Sequence, residues 1–343
     1  MDLRKIKILQ AIISDYISTA EPVGSRTIAK KYDLGISSAT IRNEMSDLED
    51  MGYLEQPHSS AGRKPSDKGY RLYVDKIMEV STLSYEDQVF IKNQLLDSAL
   101  VEVDKLIKQS LSILSDLTKL TCIAKGPSVS KWSIKSIQLM SVNKNEVLLI
   151  IITNSGIIKH NLIRLSKGLE NEKIIKLNNI LNARLKNLSI EQINLKVINL
   201  LRNDLRGYED LFDEIIPSLY ESLTEEDSSE VYMEGTSNIF NYPEYNDIKK
   251  AKDFLSLLDD KDKIGEILKN DENVTIKIGN ENGLDSAKNC SIITAHYSIG
   301  GKPLGSIGVI GPTRMPYSKI LSIMSKVVSE IDENIGRNYL DDR

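Results

Sequence analysis

Gly35-Ile36-Ser37-Ser38-Ala39-Thr40-Ile41-Arg42-Asn43-Glu44-Met45-Ser46-Asp47-Leu48, followed shortly by His58-Ser59-Ser60-Ala61-Gly62-Arg63-Lys64-Pro65, decides how the N-terminal part of this chain folds. Gly35 supplies a turn and Ser37 has the hydroxyl of an N-cap. At about 100° per residue, Ile41, Met45 and Leu48 share one face of the helix that follows. Ala39, Asn43, Ser46 and Asp50 point the other way, with Thr40 and Arg42 on the flanks. The second stretch reads as a tight basic hairpin. A helix with a small polar outer face beside a basic finger is the pair with which a winged helix-turn-helix meets DNA.

Working outward, Ile6, Leu9, Ile13, Tyr16 and Ile17 fall on one face of a helix over residues 2–19. Pro22 and Gly24 break it, and Ser25 starts a short helix ending near Tyr32. Gly52 ends the helix begun at Ser37. Tyr53-Leu54-Glu55-Gln56 and a partner after Gly62 then form the hairpin, and Ser66-Asp67 opens a further helix through Met78. Helix, helix, turn, helix, hairpin is the winged order, which assigns residues 1–80 to a DNA-binding domain. An ordinary surface helix also carries a capping serine, and a solvated turn is also basic. The order of elements separates the two readings.

The contacts this head offers follow from side-chain chemistry. Ser38, Ala39 and Ser46 are small enough to let the helix approach base edges. Asn43 matches the donor–acceptor pair of adenine, Ala39 a thymine methyl, and Arg42 a guanine or a phosphate. Ser37, Thr40 and the helix N-terminal N–H groups suit phosphate oxygens. Arg63 and Lys64 suit the backbone or the minor groove.

The chain has 343 residues, 41% hydrophobic and 27% charged, and a net charge of −5. That length predicts two or three domains of ordinary globular composition. The longest apolar run, Val147 to Ile152, suits a buried strand and is too short for a bilayer. The N-terminus opens directly into a charged helix without a signal-peptide core. Cys122 and Cys290 lie far apart without ligand spacing, which fits a reducing cytoplasm. The charge is unevenly spread. Residues 1–76 hold 12 Lys/Arg against 11 Asp/Glu, and residues 57–76 hold five basic groups against two acidic. Residues 203–234 carry eleven acids and only Arg206. Phosphate repels such a segment, so it belongs away from a duplex.

Beyond the head, residues 85–120 show a long helical pattern closed by Gly126-Pro127. Three strand-like runs follow, Ser133–Val142, Glu146–Thr153 and Ile157–Leu165, with turns at Asn143-Lys144-Asn145 and Asn154-Ser155-Gly156. A helical, increasingly acidic block from Leu169 to Ser229 interrupts the strands. Val231-Tyr232-Met233, Val274–Ile278, Ser291–Ser298 and Leu304–Ile310 resume them, the last two joined by Gly300-Gly301, and helices are predicted over 247–269 and from Ser318. The pattern predicts an α+β domain, 85–167 and 230–343, carrying an inserted subdomain at 168–229.

No catalytic constellation competes with the head. His58, His160 and His296 sit in separate elements and form no metal pair. Gly305-Ser306-Ile307-Gly308-Val309-Ile310-Gly311 lacks the spacing and the Lys-Ser/Thr of a phosphate loop, and reads as a strand with glycines for close packing. No metal, cofactor or enzymatic activity is expected.

These residues resemble the heat-inducible transcription repressor family HrcA. The resemblance rests on Pro22-Val23-Gly24-Ser25, on Ser37 through Met45, on Ser60-Ala61-Gly62-Arg63 with Pro65, and on Asp67-Lys68-Gly69-Tyr70-Arg71. It continues to Glu234-Gly235-Thr236-Ser237-Asn238 and to Gly305 through Pro312. Lys64 stands where members usually have an apolar residue, and Ser66 replaces the usual Thr while keeping the hydroxyl. The resemblance implies a homodimer with a winged helix head, a GAF-like middle domain and a dimerising inserted subdomain. It implies repression of chaperone operons at an upstream inverted repeat, with the chaperonin keeping the repressor active and heat inactivating it.

A dimer also follows from recognition energetics, because one helix reads few base pairs and a palindrome doubles the specific term. Ile174, Leu177, Leu181, Leu185 and Leu188 form an apolar stripe that is the candidate dimer contact; packing within the same chain is the alternative. A metabolite-responsive repressor with a ligand in the GAF-like domain competes with the chaperonin-linked reading. An enzyme with a DNA-binding head is a third reading and finds no catalytic residues.

Overall fold

The computed structural model describes residues 1–58, 61–96, 103–126, 133–154, 156, 158–189, 192–193, 195–206, 209–224, 231–269, 273–299 and 302–340. Ser59, Ser60, Ser155 and the Gly300-Gly301 turn lie outside them. The N-terminal helices are α1 (Leu3–Thr19), α2 (Ser25–Lys31) and α3 (Ser38–Asp50). Strands β1 (Leu54–Glu55) and β2 (Lys64–Pro65) pair antiparallel, Leu54 opposite Pro65 and Glu55 opposite Lys64. Helix α4 (Asp67–Leu72) runs on into a π-helical turn, Tyr73–Ile77. The Ser66 hydroxyl accepts the Gly69 N–H at 3.1 Å and donates to the Gly52 carbonyl at 2.6 Å. One serine therefore caps α4 and fixes it to the end of α3.

The pattern over 85–120 resolves into α5 (Tyr85–Leu96) and α6 (Val103–Thr118), packed on each other, rather than one helix. Lys119 then takes φ 57°, its N–H bonding the Ser115 carbonyl at 2.8 Å. The chain turns at once into β3 (Thr121–Lys125), a strand that sequence periodicity does not show. Its first four residues are all buried, so no alternation marks it.

Strand β3 belongs to a five-stranded antiparallel sheet with β7 (Val231–Glu234), β8 (Val274–Ile278), β9 (Cys290–Ile299) and β10 (Lys302–Pro312), in the order β7-β3-β10-β9-β8. Cys122 and Ala124 face α5, α6 and the closing helix α12 (Tyr317–Leu340), while Ile123 faces α10 (Ile248–Asp259) and α11 (Lys261–Leu268). The result is helices, sheet and helices in three layers. In β10, a Cβ on Gly305 would stand 2.1 Å from the Tyr297 hydroxyl and 2.6 Å from the Lys125 carbonyl, so the glycine serves packing. The head does not close its own core: Ile8, Leu9, Ile41, Leu48 and Tyr70 share one cluster with α5, α6 and α12.

A second sheet, β4 (Ile134–Asn143), β5 (Glu146–Thr153) and β6 (Ile158–Arg164), is antiparallel in that order and has its own core. Its inward residues, among them Ile137, Leu149, Ile151 and Ile163, pack on α7 (Asn171–Leu185), α8 (Leu195–Asp204) and α9 (Glu209–Thr224). This moves the expected boundary: the three strands belong with the helices that follow them, not with the larger sheet. The insertion therefore spans 133–224, between β3 and β7, which pair with each other. Neighbouring strand ends leave the parent sheet unstrained by a long excursion.

The same core corrects the candidate dimer stripe. Ile174, Leu177, Leu181 and Leu185 are buried within the chain, and Leu188 is half-buried against the same cluster. An amphipathic helix buries its apolar face on the nearest apolar partner, and the sheet provides it. Two asparagines on α7 complete the seat. Asn182 takes the Ile137 N–H at 2.9 Å and donates to the Ile137 carbonyl at 2.6 Å. Asn178 does the same at Leu139, at 2.7 and 3.1 Å. The open edge of β4 is thereby satisfied by side chains.

Candidate nucleic-acid interface

Helix α3 is held from behind by apolar and charged contacts. Ile41, Met45 and Leu48 are buried, as is Glu44, which accepts an ion pair from Lys5 of α1 at 2.6 Å. Lys5 also reaches Asp47 at 2.9 Å, and the two carboxylates hold its ammonium charged by raising its pKa. Asp15 of α1 pairs with Lys31 at the end of α2. Both clamps fix α2 and α3 relative to α1, which sets what α3 presents.

What α3 presents is Ala39, Arg42, Asn43 and Ser46, all exposed. Arg42 and Asn43 form no hydrogen bond or ion pair among the described residues. Ser38 and Thr40 are half-buried. The Ser37 hydroxyl accepts the Thr40 N–H at 3.2 Å and lies 3.0 Å from the Thr40 hydroxyl, so both are engaged in the cap. Sequence reasoning left out Arg26, Thr27 and Lys30, which α2 exposes beside α3. Their signal was available: they are the polar positions around buried Ile28 in a short helix.

The hairpin is built around a close approach. A Cβ on Gly62 would come within 2.5 Å of the Val23 backbone, so only glycine fits there. Arg63 pairs with Val23 through two backbone bonds of 2.8 and 2.9 Å. The finger is thus pinned to the α1–α2 turn. The Arg63 guanidinium lies 2.7 Å from Glu49 of α3, and Lys64 lies 3.2 Å from Glu55 across the strand pair. Both predicted wing contacts are therefore neutralised inside the head, with Arg63 only 20% exposed.

Lys68 and Arg71 of this segment are also engaged, while Lys76 is exposed. Lys68 donates to the Met51 carbonyl at 2.8 Å and sits 4.7 Å from the Tyr53 ring centre. Arg71 grips Glu281, with one bond of 3.0 Å, and also bonds Asp75 and the Ile276 carbonyl. Asp67 accepts the backbone and side-chain N–H groups of Asn280, both at 3.1 Å. Burial works to raise the Glu281 pKa, but Arg71 and the Ile278 N–H outweigh it and hold the carboxyl below its usual value. Arg314 pairs with Glu244 and donates to the Ile17 carbonyl of α1 at 3.0 Å. Arg71, Asp67 and Arg314 therefore anchor the head to the sheet domain, and α3 and α2 keep a free polar surface.

Among the described residues, no cluster of His, Cys, Asp or Glu could hold a metal ion, and no helix is long and apolar enough to cross a membrane.

The chain is similar to known proteins over nearly its full length. Residues 104–321 match the family described as HrcA protein C terminal domain. The chain is 58% identical over 334 residues to the heat-inducible transcription repressor HrcA of Clostridium tetani, covering 97% of this chain and 95% of the relative. It is 55% identical to the protein of the same name from Clostridium acetobutylicum, covering 98% of each. A crystal structure described only as a hypothetical protein shares the fold, with a TM-score of 0.69 and 22% identity over 98% of this chain and 99% of that one.

Proposed function

The chain belongs to the heat-inducible transcription repressor HrcA family, and we propose that it represses chaperone operons as a cytoplasmic homodimer bound to an upstream inverted repeat. The observation that carries the reading is the polar face of α3, clamped from behind by Lys5–Glu44 and open in front. Asn43 reads an adenine, Ala39 meets a thymine methyl, and Arg42 takes a guanine or a phosphate. Ser38 and Ser46 leave room for the backbone to approach. Ser37 and Thr40 order the first turn, whose N–H groups face phosphate. Arg26, Thr27 and Lys30 of α2 add backbone contacts. Arg63 and Lys64 reach phosphate only by exchanging Glu49 and Glu55 for it. The function is binding, without catalysis.

The dimer contact moves from α7 to the outer face of the three-stranded sheet. There Met140, Leu148 and Leu162 stand in one cross-strand row, and Ile152 and Ile158 in another. Met140 and Leu162 are 48% and 47% exposed, and Val142 56%. Apolar rows of this kind are expected to be covered by a partner. A second copy covers them symmetrically. A chaperonin partner is implied by the family resemblance. It finds support in the same rows, which an unpaired chain leaves bare.

A footprint on the protein's own upstream DNA tests the reading. The expected result is a two-fold symmetric protection with half-sites near multiples of one helical turn, about 34–36 Å. Asn43→Ala should lose about 1–3 kcal/mol of discrimination at one position per half-site. An unsymmetric footprint, or one that Asn43→Ala leaves unchanged, overturns the assignment.

A further inference from the structure

Away from α3, a cavity of about 390 Å³ lies between α12 and the β8–β9 side of the sheet. That size falls in the range of small-molecule sites, which set a few polar groups in largely apolar walls. Leu321, Met324 and Val328 of α12 form one wall, and Val274 of β8 faces them. Ser298 and Asp332 supply the polar end.

Asp332 gives the cavity its chemistry. It accepts the Ser298 N–H at 2.6 Å and the Ser298 hydroxyl at 3.2 Å, both neutral donors. Among the described residues no basic side chain forms an ion pair with it. Lys326 of the same helix is taken by Glu330 at 2.7 Å. His296, the other titratable group on the wall, has Nδ1 3.3 Å from the Gly305 carbonyl. Half-burial raises the Asp332 pKa, as expected of a carboxylate losing water without gaining a cation. A carboxylate in that position favours a cationic ligand whose remaining surface is apolar.

We propose that this cavity binds a small primary amine, with its ammonium on Asp332 and its apolar body between α12 and the sheet. The site stands apart from the operator reading, because its occupancy is measured without DNA.

Calorimetric titration of the full chain with 2-phenylethylamine, against 2-phenylethanol as the neutral control, tests it. The expected result is saturable binding of one amine per chain, with the alcohol at least about tenfold weaker, and loss of that preference in Asp332→Asn. Ser325→Trp, which fills the cavity from α12, should abolish amine binding. Equal binding of amine and alcohol, absence of saturable amine binding, or an Asp332→Asn variant that keeps the preference each overturns the proposal. Should a variant fail to fold, the amine–alcohol comparison on the unaltered chain decides.

Discussion

Helices α3 and α7 are both amphipathic, yet they spend their faces differently. The apolar side of α3 packs on α1 and its polar side is left open. On α7 the apolar side packs on the small sheet, while Asn178 and Asn182 also reach the β4 backbone. What α7 leaves exposed is mostly polar, Glu172, Lys176, Asn179 and Arg184, with Ile175 as an exposed apolar side chain among them. What stays outside in the inserted unit is instead the far face of its sheet, with Met140, Leu148 and Leu162. A partner is therefore inferred from the surface left after each core closes: polar on α3, which suits DNA, and apolar on β4–β6, which suits protein.

The sharpest way to break this contrast is to cut into α7. Leu181→Ala should cost about 2–5 kcal/mol in chemical denaturation, as deletion of a fully buried leucine does. If that variant kept its stability and only changed its association state, the stripe would be an interface after all. Leu148→Lys probes the opposite surface. It should weaken dimerisation by about 2–4 kcal/mol in sedimentation, and lower the denaturation midpoint only by the share of stability that association supplies.

Two arginines then sharpen the comparison within the head. Arg63→Ala should lower stability by about 1–2 kcal/mol, because it leaves Glu49 unpaired and loosens the finger. Arg42→Ala should leave stability unchanged and reduce the salt dependence of DNA binding by about one ion per head. Equal effects of the two on stability would remove the distinction between an anchored and a free cation.

The smallest effect concerns the head's seat on the sheet domain. The folded-state pKa of Glu281 lies below its ordinary value of 4.5. Its contribution is therefore complete above that value and lost as pH falls through the folded-state value. With Glu281 partly exposed, Glu281→Gln should cost at most about 1 kcal/mol at neutral pH, and less in acid. A loss that grew as pH fell would reverse the sign of this argument.

The head was legible because its signals are local. Ser37 and Ser66 cap the helices they precede, and Ile41, Met45 and Leu48 keep helical spacing over about two turns. Arg63 and Lys64 were legible as basic but not as occupied, since Glu49 and Glu55 become partners only when the strands pair. Strand β3 was hidden by burial on both faces. The seat of α7 was hidden by distance: Asn178 and Asn182 meet strand residues 39 and 45 positions earlier.

The sequence by itself determined the order of elements in the head and the polar outer face of α3, because capping, turn formation and helical period depend on neighbours in the chain. Only the tertiary structure decided which apolar face stays uncovered, which cations are already paired, and where the insertion begins. Those answers depend on which distant surfaces meet first and bury each other, and a helix's own stripe does not name the partner that will cover it.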